Sequence, residues 1–124
     1  MNLLFDSHAA LWWATDDPRL PERVRVAIEG GAVGAISAAS VWELEIKAAS
    51  GKLRIDADVS ERLLASGFRP LGITFEHAVA AARLPPLHRD PFDRMLVAQA
   101  QLEGFVIVTR DGNIRRYGVP VLWD

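Results

Sequence analysis

The stretch that decides the fold is residues 88–111, HRDPFDRMLVAQAQLEGFVIVTRD. Asp90-Pro91 starts a largely apolar helix, with proline at the first helical position, where it is tolerated. The helix leads into an aromatic and β-branched run at 105–109, which predicts a buried strand. The same stretch places two carboxylates at element edges, Asp93 in the first helical turn and Asp111 just past the strand.

The rest of the chain continues this alternation of strands and helices. Its best strands are continuous apolar runs, which are typical of a parallel sheet covered on both faces. We therefore predict one domain over residues 1–124, a three-layer α/β/α sandwich around a mainly parallel sheet. The other predicted strands are 2–5, 33–36, 70–74 and 119–122, and the other predicted helices are 7–14, 22–30, 38–50, 59–66, 75–83 and a turn at 113–117, with a connector at 55–58.

Composition sets limits on the class of protein. Half of the 124 residues are hydrophobic and 24% are charged, which is ordinary for a globular domain and argues against disorder. The formal charge of −2 gives no overall basic signature for nucleic acid. The absence of cysteine excludes disulfides, thiolate metal sites and cysteine nucleophiles. No stretch reads as a signal peptide or membrane span, so we expect a soluble, cytoplasmic protein.

Four acids are predicted at element edges. In open α/β sheets, ligands bind beyond the carboxyl ends of the strands. Asp6 follows the first strand and Asp111 follows the strand at 105–109, so both lie at that edge. Glu43 lies in the helix that leaves the second strand at the same edge, and Asp93 lies at the start of its own helix. The sequence therefore predicts that several carboxylates converge.

Each acid also has a structural interpretation. Asp90 and Asp93 resemble a capping box, and Asp111 before Gly112 is typical of a turn. Glu45 could take the place of Glu43, although Glu43 lies nearer the helix start. Taken singly, each acid except Asp6 is more often structural than catalytic. The functional hypothesis depends on their coincidence.

Converging carboxylates repel one another strongly unless cations neutralise them. A cluster of oxygen ligands with no cysteine and no paired histidine favours Mg²⁺ or Mn²⁺ over zinc. There is no Gly-rich phosphate loop, Walker lysine motif or G-x-S-x-G elbow, which disfavours nucleotide and serine hydrolases.

Two alternatives stay open from the residues alone. The first is a metal-dependent phosphohydrolase acting on small phosphate esters. A haloacid-dehalogenase-like enzyme of that kind wants D-x-D after the first strand, whereas this chain has Asp6-Ser7-His8. The second is a non-catalytic module that binds RNA or protein, for which the loss of one or more acids would be expected.

Four motifs carry a family resemblance: DSHAALW from Asp6, SAASVWE ending at Glu43, DPFDRMLVAQA from Asp90, and VTRD ending at Asp111. In order and spacing they resemble PIN-domain proteins, and specifically VapC-type toxins of bacterial type II toxin–antitoxin systems. The similarity covers essentially the whole chain. It implies a Mg²⁺- or Mn²⁺-dependent ribonuclease, a homodimer, and a VapB-like antitoxin whose tail blocks the active site.

The resemblance also implies site residues. The family's acids match Asp6, Glu43, Asp93 and Asp111, and its pattern selects Asp93 rather than Asp90, directly before the RMLVA run. Asp6 and Asp93 are then expected to be the main metal ligands, Asp111 a weaker one, and Glu43 a ligand or water-orienting group. Further candidates are Arg94, Arg110, Arg115 and Arg116 for guiding RNA, and Ser7 and Thr109 for support.

Overall fold

The computed structural model of the chain describes residues 1–53 and 58–124. Strands and helices alternate along most of it. Their bounds are β1 Asn2–Phe5, α1 Ser7–Ala14, α2 Glu22–Glu29, β2 Val33–Ser37, α3 Ala38–Ala49, α4 Val59–Ala65, β3 Arg69–Leu71, α5 Phe75–Ala82, α6 Pro91–Glu103, β4 Val106–Val108, α7 Gly112–Arg115 and β5 Val121–Leu122.

The five strands form one parallel sheet in the order β3-β2-β1-β4-β5. β1 is the central strand, with β2 on one side and β4 on the other. From β1 the chain first builds outward through β2 and β3, and later returns to the other side of β1 to add β4 and β5. The carboxyl ends of β1 and β4 therefore flank the topological switch point, where α/β sheets of this kind bind ligands.

Alternate residues of β1 enter two separate cores, which explains why its run is apolar without alternation. Leu3 and Phe5 pack in one core with residues of α1, α2, α3 and α4. Leu4 packs in the other core with Leu96 and Val97 of α6 and with Ile114 of α7. All three β1 side chains are fully buried. A sheet covered on both faces in this way confirms the predicted three-layer α/β fold.

Two glycines are required by the packing and the backbone. A Cβ at Gly34 of β2 would lie 2.9 Å from the ring of Phe68, which packs edge-on against Phe5. Gly104 ends α6 with φ +77°, a left-handed conformation that glycine adopts without strain. The first allows an aromatic ring to approach the sheet, and the second turns α6 sharply into β4.

Most predicted elements lie within a residue or two of the observed ones. Ser37 caps α3 and Asp90 caps α6 through their side chains, as expected. The strand predicted at 70–74 is wrong in its bounds, since β3 ends at Leu71 and Thr74 caps α5 by accepting a hydrogen bond from the His77 amide. Polar capping of the next helix thus shortens the strand. The strands predicted at 105–109 and 119–122 are also shorter.

The predicted connector at 55–58 lies outside the described residues except for Asp58, which caps α4. Within 1–53 and 58–124, the longest apolar helices fall short of what a membrane crossing needs.

Candidate active site and metal centre

A pocket of about 530 Å³ opens at the carboxyl edge of the sheet. Asp6 reaches it from the end of β1, and Asp111 from just beyond β4. Glu43 comes from the second turn of α3, and Asp93 from the first turn of α6. All four acids predicted from the sequence therefore line one pocket, although they come from four separate segments.

Asp6 is the most deeply enclosed of these acids, with 8% of the residue exposed. Its Oδ1 accepts a hydrogen bond from the Ala9 amide at 2.8 Å, so it caps α1. Its Oδ2 accepts one from the Thr109 hydroxyl at 2.5 Å. Burial raises the pKa of Asp6, Glu43 raises it further, and the bonds from Thr109 and Ala9 oppose that rise. These bonds fix the carboxylate where the β1 and β4 ends meet.

Asp93 carries the clearest electrostatic signal in the pocket. Burial raises the pKa of Asp93 to about 7, and the negative charges of Asp90, Asp6 and Asp111 add to the rise, against the lowering effect of a hydrogen bond from His88. The Asp93 Oδ2 lies 2.8 Å from the His88 Nε2. A carboxyl group that resists ionisation near neutral pH is one that an added cation would stabilise.

Asp111 combines a capping role with a place in the pocket. Its Oδ1 accepts from the Asn113 amide at 2.8 Å and so caps α7. Its Oδ2 lies 3.9 Å from the His88 Nε2. The turn interpretation of Asp111 is thus compatible with the functional one, since one carboxylate oxygen serves each role.

Glu43 lines the pocket and pairs with Lys47, whose Nζ lies 3.2 Å from the Glu43 Oε2. The alternative acid Glu45 is exposed and lies instead beside a small apolar hollow against α4. Asp90 also lines the acidic pocket, but its Oδ1 is engaged by the amides of Phe92 and Asp93 at 2.8 and 3.1 Å. Asp90 therefore acts as the scaffold of α6.

His88 is a site residue that the sequence reasoning missed. It lines the pocket from the loop before α6, and its Nε2 faces both Asp93 and Asp111. The backbone amide of His88 donates to the Tyr117 hydroxyl at 3.0 Å, which holds the loop in place. The available signal was its position five residues before Asp93, in a loop that had to arrive at the same sheet edge.

The predicted supporting residues lie beside Asp6. Thr109 is fully buried, and its hydroxyl donates a hydrogen bond to the Asp6 carboxylate. The same hydroxyl oxygen accepts a hydrogen bond from the Asp111 amide at 3.0 Å, so one hydroxyl links two of the acids. Ser7 is buried and lines the pocket.

The predicted arginines divide into different roles. Arg110 is exposed and lines the pocket, whereas Arg115 is exposed on α7 outside the pocket lining. Arg116 donates to the Leu87 carbonyl at 2.7 Å.

Arg94 does not line the pocket. Its predicted role in guiding RNA is corrected, because its guanidinium is hydrogen-bonded within the protein. Its guanidinium donates to the carbonyls of Ala81, Leu84 and Pro85 at 2.9 to 3.0 Å, and to the Tyr117 hydroxyl at 3.2 Å. Five planar donors suit this clamping of a loop. Arg94 therefore ties the segment that carries His88 to α6.

The donor set fits a divalent cation. One ligand atom each from His88, Asp93 and Asp111 lie within 4.8 Å of one another. Asp6 and Glu43 add carboxylates to the same pocket. Burial and the negative charges of neighbouring acids raise the pKa of Asp93, so a cation bound beside it would stabilise its charged form. The fold and site together define a parallel α/β protein with an acidic, metal-competent pocket at its topological switch point.

Comparison with known proteins places that class in a family. The model of the PIN domain matches residues 3–120. The chain belongs to the PIN domain family, as its sequence motifs implied. It is 35% identical over 122 residues to a protein named ribonuclease VapC22 from Mycobacterium tuberculosis (strain ATCC 25618 / H37Rv), covering 96% of this chain and 94% of that protein.

Solved structures of similar fold include toxin–antitoxin complexes. VapBC2 from Rickettsia felis, bound to a DNA fragment from its promoter, superposes with a TM-score of 0.73 at 16% identity, covering all of both chains. VapBC-1 from nontypeable Haemophilus influenzae gives 0.72 at 13% identity, covering 98% of this chain and 97% of that one. At these identities the likeness concerns the fold.

Proposed function

We propose that this protein is a metal-dependent endoribonuclease that acts as the toxin of a toxin–antitoxin pair. The observation that carries the proposal is the convergence of Asp6, Glu43, Asp93 and Asp111 on one pocket. The relative at 35% identity is named a ribonuclease and is similar over almost the whole chain, which supports the same activity here.

The proposed roles follow from the geometry of the acids. Asp6 and Asp93 would be the main ligands for Mg²⁺ or Mn²⁺, Asp111 would be a weaker ligand, and Glu43 would bind the cation or orient a water. A bound cation would polarise the scissile phosphate and lower the pKa of the attacking water. Thr109 holds the Asp6 carboxylate, and His88 holds that of Asp93. Residues that orient ligands in this way tune the site.

The acids of the pocket repel the phosphates of RNA, so binding of RNA requires positive charge nearby. Arg110 lines the pocket, and Arg115 and Arg116 are exposed on and directly after α7, the helix that Asp111 caps. We assign these three to the approach of RNA, because their charge offsets the repulsion between phosphate and the acids before a cation is bound. Arg94 is left out, since both of its terminal nitrogens donate to groups within the protein, whereas Arg116 makes one such bond, to the Leu87 carbonyl.

A VapB-like antitoxin and a second copy of the chain are the proposed partners. The antitoxin is supported by neighbours of the same fold that are VapBC complexes. The homodimer is supported by large apolar side chains that are exposed to solvent, since Trp42 is 63% and Phe75 is 92% exposed. A toxin that cleaves RNA and is held by an antitoxin made in the same cell acts in the cytoplasm.

Nuclease assays on purified protein with structured RNA and Mg²⁺ or Mn²⁺ test the proposal. Asp6→Asn and Glu43→Gln are expected to abolish cleavage, and EDTA to stop the wild type. Glu45→Gln is the matched control on α3, since Glu45 is exposed and outside the acidic pocket. Full cleavage by Asp6→Asn, or persistence in chelator, would overturn the proposal. Turnover of a chromogenic phosphate ester in place of RNA would favour a phosphohydrolase.

A further inference from the structure

One wall of the acidic pocket is aromatic and cationic instead of acidic. His8, Trp12, Arg110 and Trp123 form it. Trp12 and Trp123 are 4% and 9% exposed, so they belong to the core beneath the wall. His8 and Arg110 are exposed and form its surface. The wall therefore presents two polar, planar groups to solvent on an aromatic base.

Trp12 holds both groups flat. The His8 ring stacks on the Trp12 indole with centroids 5.8 Å apart and planes 17° from parallel. The Arg110 Cζ lies 4.7 Å from the centroid of the same indole. Trp12 is itself fixed by Arg19, whose Cζ lies 4.8 Å from its centroid, and Arg19 is in turn held by two hydrogen bonds to the Asp17 carboxylate. Planar groups fixed in advance lose little entropy when they bind a ligand.

Arg110 differs from Lys47 and His88 of the pocket because it has no acidic partner among the described residues. Lys47 is paired with Glu43 at 3.2 Å, and His88 contacts Asp93 at 2.8 Å. Across residues 1–53 and 58–124, no carboxylate oxygen lies within 4.0 Å of the Arg110 guanidinium. Its charge is therefore available to a ligand, immediately beside Asp111 in sequence.

We propose that His8 and Arg110, supported by Trp12, form a subsite that stacks a nucleobase of single-stranded RNA next to the acids. The inference rests on the proposed nuclease function and adds the residues that position its substrate. A nucleobase fits because every base has a π-face, and stacking on histidine or arginine planes is a common way of binding unpaired RNA. The guanidinium at the same time offsets the charge of an adjoining phosphate.

The subsite implies that the enzyme acts on unpaired nucleotides. A base can reach the wall only when it is splayed out of a helix, so loops and single strands are the expected substrates. His8 and Arg110 are positioning residues, and their loss should raise KM for RNA more than it lowers kcat. A purely structural role would lower kcat and stability together.

Binding without turnover tests the subsite directly. In the Asp93→Asn background, affinity is measured by fluorescence anisotropy with a fluorescein-labelled oligouridylate and with the same chain carrying abasic riboses. His8→Ala is expected to weaken binding of the oligouridylate about 10-fold and to leave the abasic chain unaffected. His8→Phe keeps a flat ring and should retain the affinity. Arg110→Lys keeps the charge and the salt dependence but loses part of the base preference.

Arg23→Ala is the matched control, because Arg23 is an exposed cation on α2 outside the pocket lining. It should leave the difference between oligouridylate and abasic chain unchanged. Equal binding by His8→Ala and its parent, or equal losses for both RNAs, would overturn the subsite. If the wild type cleaves RNA without base preference, only the subsite is contradicted. If binding depends on the base but no metal-dependent cleavage occurs, only the nuclease proposal is contradicted.

Discussion

Helix α6 carries a histidine–carboxylate contact at each end, and the two differ in their surroundings. At its start, the His88 Nε2 lies 2.8 Å from the Asp93 Oδ2, and at its end the His77 Nε2 lies 2.9 Å from the Glu103 Oε1. Around Asp93 stand three further acids that raise its pKa. At the other end the Glu103 side chain is 47% exposed. Within residues 1–53 and 58–124, the group of three acidic or histidine side chains close enough to share a cation is His88, Asp93 and Asp111, at the start of α6.

The second contact is structural. The Thr74 amide donates to the His77 Nδ1 at 3.1 Å, so that nitrogen is the acceptor and the Nε2 proton points to Glu103. His77 completes the capping box of α5 and joins this helix to α6. Similar contacts thus serve different purposes, and what marks a functional site is the crowding of like charges, not the histidine–carboxylate contact itself.

The largest expected difference between the two ends is catalytic. Asp93→Asn should lower RNA cleavage by about 100-fold or more, because it removes a charge on which cation binding depends. Glu103→Gln changes an equivalent partner at the other end and should leave the rate within about 2-fold, since surface pairs contribute little. Initial rates with saturating Mn²⁺ measure both. Equal losses in the two variants would contradict the distinction drawn between the ends of α6.

Substitutions of His88 and His77 are expected to affect different properties, namely metal affinity and stability. His88→Ala is expected to weaken Mn²⁺ binding about 10- to 100-fold, because it frees a carboxylate that the ring holds in place. His77→Ala should leave the affinity unchanged and lower the free energy of unfolding by about 1–3 kcal/mol, since buried partners lose their hydrogen bonds. Calorimetric titration and urea unfolding read these effects separately. A loss of Mn²⁺ affinity in His77→Ala would show that the ends are coupled.

The affinity for metal is expected to depend on pH through Asp93, at the start of α6. With a pKa of about 7, Asp93 is mostly protonated at pH 6 and mostly charged at pH 8. Because a proton and a cation compete for the carboxylate, Mn²⁺ affinity should rise about 10-fold between these values. The Glu103→Gln variant should follow the same curve as the wild type, whereas Asp93→Asn should flatten it. A pH-independent affinity in the wild type would argue against Asp93 as a ligand.

The last expected effect concerns the stability of the folded state in the absence of metal. The pKa of Asp93 rises on folding from an ordinary value of 3.8 to about 7, so the folded state holds its proton more tightly. The free energy of unfolding therefore falls as pH rises between those values, and the full loss is present above pH 7. In EDTA, Asp93→Asn should be more stable than the wild type at pH 8, on the order of 2 kcal/mol, and unchanged near pH 3. Urea unfolding at both values measures it, and the opposite order would contradict the burial of an uncompensated charge.

The sequence predicted the parts of this molecule that local chemistry dictates. β1 and the caps at Ser37 and Asp90 follow from apolar runs and side-chain capping, which act over a few residues. The approach of Asp6 and Asp111 follows from the topology of parallel sheets. The choice of Asp93 over Asp90 came from the family pattern.

What could not be predicted depends on how loops close. The Arg94 side chain was expected to face RNA, yet it ends among carbonyls of the segment between α5 and α6. The direction of the Arg94 side chain depends on the path of this loop, and the hydrophobic periodicity of the sequence does not predict that path. The contact of His88 with Asp93 has the same origin. The strand at 70–74 was misjudged because Thr74 serves the following helix rather than the sheet.

The hydrogen bond between Thr109 and Asp6 joins residues 103 positions apart, and β1 obtains its second neighbour only from β4. During synthesis the first acid leaves the ribosome long before the segment that holds it. A nascent chain therefore has no assembled pocket until the segment that carries β4, Thr109 and Asp111 has been translated. Pairing of a central parallel strand with a distant one is also slow to form. The order of the chain thus delays the moment at which each new molecule acquires the site of the proposed ribonuclease activity.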